Sequence, residues 1–212
     1  QYEKKELRQH IYDTPDTYVG GIDKINEVLP IKDNNENKVV FKEIEYIPAL
    51  LNIFNEILVN ARDQIVRLEH LKDNKNVIQV SNIKIKFNED NSITILNDGN
   101  GITVKKHEKE KIYIPQLIFG ELLTSSNYKK GEKRIVGGKN GYGAKLANIF
   151  SEIFTIETVD HINGLKYTQT WEKNMTVCHK PVIKKCQGKP YTKITWKCDF
   201  ARFGLQKYSD NM

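Results

Sequence analysis

Three short constellations hold side chains able to act on a phosphate ester. The first is E-I-L-V-N-A-R-D at 56–63. On a helix, Glu56, Asn60 and Asp63 fall at i, i+4 and i+7 and share one polar face, opposite an apolar stripe. Glu56 is placed to act as general base on a water. Asn60 offers the neutral oxygen that suffices for Mg2+ when phosphates and waters complete its octahedron. A solvated helix face would carry the same residues. The second is N-D-G-N-G at 97–101, closing an alternating strand. Asn97 at the strand end suits the edge of an adenine, and the two glycines let the backbone lie close to the base. An ordinary strand-end turn uses the same chemistry. The third is G-G-K-N-G-Y-G-A-K at 137–145. It is not GxxxxGK[ST], because Leu146 follows Lys145, and the charged run before it is no strand for a dinucleotide fingerprint. What remains is a GxxGxG loop running into a helix, an anion site made of backbone N–H groups and Lys145, or else a flexible loop without a ligand.

These residues need elements to hold them. From Pro48 onward Leu51, Phe54, Leu58, Ala61, Ile65 and Leu68 recur every three or four residues, which predicts a helix of roughly twenty residues. Alternation over 77–87 and 93–96 reads as a β-hairpin joined through 88–92. A short helix with proline in its first turn is expected over 115–123, and another from Ala144. Residues 153–159, 165–171, 176–178 and 192–197 read as further antiparallel strands. Residues 1–22 hold a short helical piece, 32–38 a polar loop, and 125–143 a long Gly/Ser/Asn/Lys loop. No repeat or linker divides the chain. The expected fold is one α+β domain of two layers, a mainly antiparallel mixed sheet with helices on one face.

Composition narrows the class. With 212 residues, 39% hydrophobic and 28% charged, the chain can bury a core, and no run approaches the ~18 apolar residues of a membrane span. The N-terminus is charged and lacks the apolar centre of a signal peptide, and a chain opening on Gln1 reads as part of a longer protein. Cys178, Cys186 and Cys198 have no CxxC spacing, so neither a zinc site nor a disulfide framework is expected. A net charge of +6 suits a polyanionic partner.

In order along the chain, a helix with E-x-x-x-N, a strand ending in [DN]-x-G-x-G and a GxxGxG lid resemble the GHKL ATPases, which include gyrase, a chaperone class, histidine kinases and mismatch-repair ATPases. The fuller resemblance is to eukaryote-type DNA topoisomerase II. It rests on P-D-T-Y-V-G-G at 15–21, the three constellations, I-Y-I-P-Q-L-I-F-G-E-L-L-T-S-S-N-Y at 112–128, Y-T-K-I-T-W at 191–196 and A-R-F-G at 201–204. The resemblance implies a GHKL fold that binds and hydrolyses ATP with Mg2+. Glu56 would be the catalytic base and Asn60 the metal ligand. Asn97 would meet the adenine, supported by Thr192. Ser125, Ser126 and Asn127 would contact ribose and phosphate oxygens. Gly138, Lys139, Asn140, Gly141, Tyr142, Gly143 and Ala144 would wrap the phosphates beside Lys145. Tyr2, in an N-terminal arm over 1–22, would reach a partner's nucleotide. Arg62, Gln64, Thr103 and Lys139 depart from the family's usual Ala, Asn, Pro and Arg, and none removes a residue on which hydrolysis depends. The family implies a homodimeric gate that closes on double-stranded DNA, with transducer and DNA-cleavage domains outside this chain. It also implies an intracellular place, in the nucleus, or in the cytoplasm or virion of a virus. Another GHKL ATPase is disfavoured by the matches at 112–128 and 191–204, and a basic DNA-binding module with an inactive nucleotide site by intact Glu56, Asn60 and Lys145.

Overall fold

The computed structural model describes residues 6–33, 35, 37–122 and 143–208. Prolines open three of its helices, at positions where a missing N–H costs nothing. They are α2 (Pro15–Tyr18), α3 (Pro48–Glu69) and α4 (Ile114–Gly120), joined by α1 (Leu7–Asp13) and α5 (Gly143–Ile149). The strands are β1 (Ile25–Asp33), β2 (Lys38–Tyr46), β3 (Ile83–Phe87), β4 (Ile93–Asp98), β5 (Ser151–Asp160), β6 (Leu165–Glu172), β7 (Val177–Cys178), β8 (Val182–Lys185) and β9 (Tyr191–Cys198). β1 and β2 pair as a separate ribbon. The other strands form a seven-stranded sheet in the order β3-β4-β9-β5-β6-β7, with β8 also on β6. Every pairing among the described residues is antiparallel, as a mainly antiparallel sheet requires, and none of the parallel pairs that a mixed sheet would add is among them.

The core lies between the helices and one face of that sheet. Ile93, Ile95, Phe154, Ile156, Ile194, Trp196, Tyr167 and Trp171 are buried on the sheet side. They meet Ile53 and Ile57 of α3 and the whole of α5, whose residues 144–149 are all buried. A helix covered all round must be placed by packing rather than by its own propensity. It is further tied to α4, where Asn148 Nδ2 donates to the Phe119 carbonyl at 3.0 Å.

Three expectations are corrected. The buried stripe of α3 is Ala49, Leu50, Ile53, Ile57, Ala61 and Leu68, rotated from the expected one, so that Leu51 is exposed and Phe54 and Leu58 only border the core. Glu56 and Asp63 therefore do not lie opposite that stripe: Glu56 is half-buried beside it and Asp63 is buried. Residues 77–82 are not a strand. Side chains replace ladder partners there, with Asn100 Oδ1 accepting from Ile78 N at 2.7 Å and Asp98 Oδ1 from the N–H groups of Ser81 and Asn82 at 2.7 and 2.8 Å. The ends of the polar 32–38 run, Lys32, Asp33 and Lys38, belong to the strands of the β1–β2 ribbon, which carry apolar residues on both faces and so show no clean alternation.

Gly120 ends α4 against the indole of Trp171. A Cβ at 120 would lie 2.6 Å from Trp171 Cζ2, and that ring is buried with nowhere to move. Gly120→Ala should lower stability by about 1–3 kcal/mol, the usual cost of overpacking. A urea midpoint equal to wild type would refute this account of the position.

Candidate functional site

Two clusters of polar side chains sit on the helix side of the sheet, one on the helices and one on the strands. On the helices, Gly143 at the start of α5 lies against the carboxylate of Glu56. A Cβ at 143 would run into Glu56 Oε2 and stand 3.7 Å from Asn60 Nδ2. A larger residue there would force the carboxylate to turn away. Asn60 Nδ2 donates to the Glu56 carbonyl at 2.5 Å, which commits the amide nitrogen to the helix and leaves Oδ1 as the outward atom. Asn60 is exposed although its neighbours Ile57 and Ala61 are buried. Burial raises the pKa of Glu56 above that of an ordinary glutamate.

Lys145 is the third residue of α5 and is 1% exposed. Burial disfavours its ammonium and lowers its pKa to about 8, against a smaller opposite pull from Glu121. Ala144 is buried beside it.

On the sheet, Asn97 ends the buried alternation of β4 and is 5% exposed. It stands opposite Thr192 of β9, which in turn stands opposite Thr158 of β5. Thr158 Oγ1 lies 3.2 Å from Thr192 Oγ1, accepts from Ile102 N at 2.9 Å and donates to the Tyr191 carbonyl at 2.9 Å. The turn after Asn97 is pressed onto the end of β5: a Cβ on Gly101 would overlap the Val159 carbonyl. Gly99 holds φ +83°, a conformation costly for any other residue. Asp98 points the other way. Burial works against its charge, but hydrogen bonds from Ser81 and Asn82 outweigh it and bring its carboxyl to about 2. The two clusters are joined by Gln64 of α3, whose Nε2 donates to the Asn100 carbonyl at 3.1 Å.

The structure thus gathers Glu56, Asn60 and Gly143 in one place and Asn97 with Thr192 in another, with Lys145 inside α5. Tyr2, Ser125, Ser126, Asn127, Gly138, Lys139, Asn140, Gly141 and Tyr142 lie outside the described residues. Sequence reasoning missed Thr158 and the bridging part of Gln64. Thr158 was findable as a polar residue continuing the apolar alternation Phe154, Ile156.

The donor set fits a magnesium nucleotide: a single outward amide oxygen for a hard cation, a buried lysine, and glycines where a backbone must come close. Among the described residues no cluster of three or more His, Cys, Asp or Glu offers an all-protein metal cage. None of the helices searched is long and apolar enough to cross a membrane.

No family model matches the chain. Individual proteins do. DNA topoisomerase 2 of Candida glabrata is 47% identical over 214 aligned residues, covering the whole of this chain and 15% of the relative. The ATPase region of Saccharomyces cerevisiae topoisomerase II superposes with a TM-score of 0.89 at 42% identity, over 99% of this chain and 54% of that one. The 43K ATPase domain of Thermus thermophilus gyrase B reaches 0.64 at 20% identity, over 96% of this chain and 42% of that one, which is a likeness of fold. The chain thus spans about 15% of the length of the curated relative it matches, within the part that holds the ATPase. By identity along its whole length and by fold, the chain belongs to the DNA topoisomerase 2 family and corresponds to that family's ATPase region.

Proposed function

We propose that this chain binds and hydrolyses ATP as the gate of a type II DNA topoisomerase. In that reading Mg2+-ATP drives two copies to close around a DNA duplex inside a cell. The observation that carries the proposal is the approach of Gly143 to Glu56, which lays the start of α5 on a desolvated carboxylate beside Asn60.

Each residue has work that its chemistry permits. Glu56, made more basic by burial, takes a proton from the attacking water. Asn60 presents Oδ1 to the cation, and Mg2+ when bound neutralises charge on the phosphates. Asn97, between β3 and β9 at the end of β4, faces the adenine, and Thr192 beside it gives support. Lys145 and the backbone of Gly143 and Ala144 hold phosphate oxygens, as do Ser125, Ser126, Asn127 and Gly138, Lys139, Asn140, Gly141 and Tyr142 through the resemblance. Tyr2 serves a partner's nucleotide on the same basis.

Hydrolysis tests the whole reading. Glu56→Ala should keep ATP affinity and cut turnover by about 100-fold or more, the scale of a general base. An unchanged kcat in an ATPase assay would sink the role.

Stability against pH tests the environment of Glu56 separately. Its raised pKa means that folding favours the protonated form, so this contribution is full below the ordinary carboxylate range and is lost as pH rises through the folded value. Glu56→Gln should therefore be more stable than wild type at neutral pH, with the gap closing as pH falls below about 4. Equal urea midpoints at neutral pH would contradict a desolvated carboxylate.

Lys145→Ala should weaken ATP and ADP binding by about 10- to 150-fold, the equivalent of a charge-assisted hydrogen bond of roughly 1.5–3 kcal/mol. Because the ammonium of the free chain titrates at about 8, wild-type affinity should fall as pH rises through that value. The variant should lose that pH dependence. Calorimetry showing wild-type affinity in Lys145→Ala would remove the lysine from the phosphate site.

A further inference from the structure

Among the described residues the helices lie on one face of the seven-stranded sheet, and the middle of the other face carries half-exposed side chains. Across its middle runs a row of threonines, Thr94, Thr195, Thr155 and Thr170, brought side by side by the registers of β4, β9, β5 and β6. They are joined in two pairs, Thr94 with Thr195 at 3.0 Å and Thr155 with Thr170 at 2.9 Å. Each pair uses one hydroxyl proton and leaves one to donate outward.

The same registers turn Lys84 and Lys86 of β3, Lys193 and Lys197 of β9, Lys166 of β6 and Lys184 of β8 to this face. Asp98, Glu157 and Glu172 share it. Lys166 and Lys193 both grip Glu157 at 2.8 Å, and Lys197 reaches Glu152 at 3.0 Å. Lys84, Lys86 and Lys184 have no ion pair among the described residues and are exposed. The sequence reinforces this bias: between Glu172 and Asp199 it has seven lysines and no carboxylate.

Such a face complements a polyanion, and its details select the kind. From β3 to β8 there are five strand spacings, about 24 Å at ~4.8 Å each, wide enough to lie along a rigid double helix. A surface for single strands would need aromatic platforms for bases to stack on. Among the paired positions on this face the sole aromatic is Tyr191, and its hydroxyl is held by Glu157 at 2.5 Å. Lysines and threonine hydroxyls are what contact phosphate oxygens without reading bases. We propose that the helix-free face of the sheet is a sequence-independent contact surface for the backbone of duplex DNA. This deepens the reading that the chain serves an enzyme acting on DNA, and rests on it for the choice of duplex.

The test is fluorescence anisotropy of a short labelled duplex with the chain across salt concentrations of about 50 to 200 mM. The triple variant Lys84→Glu, Lys86→Glu, Lys184→Glu should bind about 10-fold or more weakly, with the slope of log affinity against log salt shallower by roughly 2.7, about 0.9 for each lost contact. The glutamine version of the same triple should change in the same direction by less. A control with equal charge change, Lys105→Glu, Lys109→Glu, Lys111→Glu, lies in the loop on the helix side and should retain most of the wild-type slope. An unchanged slope in the face variant, an equal loss in the control, or preference for polyglutamate over the duplex would overturn the proposal. Mg2+-ATP binding measured on the same samples keeps the two readings apart. Its absence from wild type would sink the nucleotide site, whereas the salt slope alone judges the face.

Discussion

Helix α5 is placed by the burial of residues 144–149, and that packing sets its first residue, Gly143, against the carboxylate of Glu56 on α3. Once α5 is seated there, its other surfaces have no freedom. Asn148 is fixed to the Phe119 carbonyl of α4, and Ser151 Oγ donates to the Ala147 carbonyl at 2.5 Å as the chain leaves the helix for β5. Phe150, just past the helix, stacks on Tyr12 of α1 and packs against Phe203. Tyr12 in turn donates to Asp199 at 2.7 Å, and the Arg202 guanidinium lies over its ring. The start and end of the described chain are thereby locked to the same seven-residue helix that carries Lys145. A side chain at 143 would have to push the Glu56 carboxylate aside, away from the start of the helix that carries the lysine.

The titratable groups divide by what they do. Asp98, Glu157 and Asp160 are all partly desolvated, yet hydrogen bonds and ion pairs outweigh burial and hold each below the ordinary carboxylate range. They tie strands and loops: Asp160 receives the Val104 N–H and caps the 160–163 turn, and Glu157 gathers Lys166, Lys193 and Tyr191. Glu56 and Lys145 shift the opposite way, each towards its neutral form, because burial dominates. Charges stabilised within the fold belong to the scaffold. Charges that the fold leaves under-solvated are the ones a ligand can relieve, and this pair brackets the start of α5.

Much of this was legible in the sequence, for reasons that can be stated. Proline positions marked the starts of α3 and α4, and the period of α3 gave its length. Its face came out rotated because Leu51, Phe54 and Leu58 are as apolar as Leu50, Ile53 and Ile57, and periodicity cannot choose between adjacent stripes when both are filled. The β1–β2 ribbon was missed because it pairs with no other strand and buries neither face well, leaving Phe41 exposed. The neighbourhood of Asn97 was beyond reach in another way. That Thr192 stands beside it and Thr158 next beyond depends on the register of three strands separated by up to about a hundred residues, and register is fixed by pairing rather than by any local signal. The resemblance supplied Thr192 but had no reason to single out Thr158.

Position 64 shows how a departure from a family pattern can become a structural tie. The resemblance implies an asparagine there; the glutamine of this chain spans from α3 to the Asn100 carbonyl, while its Oε1 receives Arg67 at 2.8 Å. One turn earlier on the same helix sits Asn60. The turn it holds is the one that Gly101 presses onto Val159 and that follows Asn97. A displacement of α3 relative to the sheet would therefore be felt at both clusters together, through a side chain that touches neither Asn97 nor Glu56. The two layers of the site are coupled by Gln64 as well as by shared core packing, which makes this residue a positioning element rather than a neutral replacement.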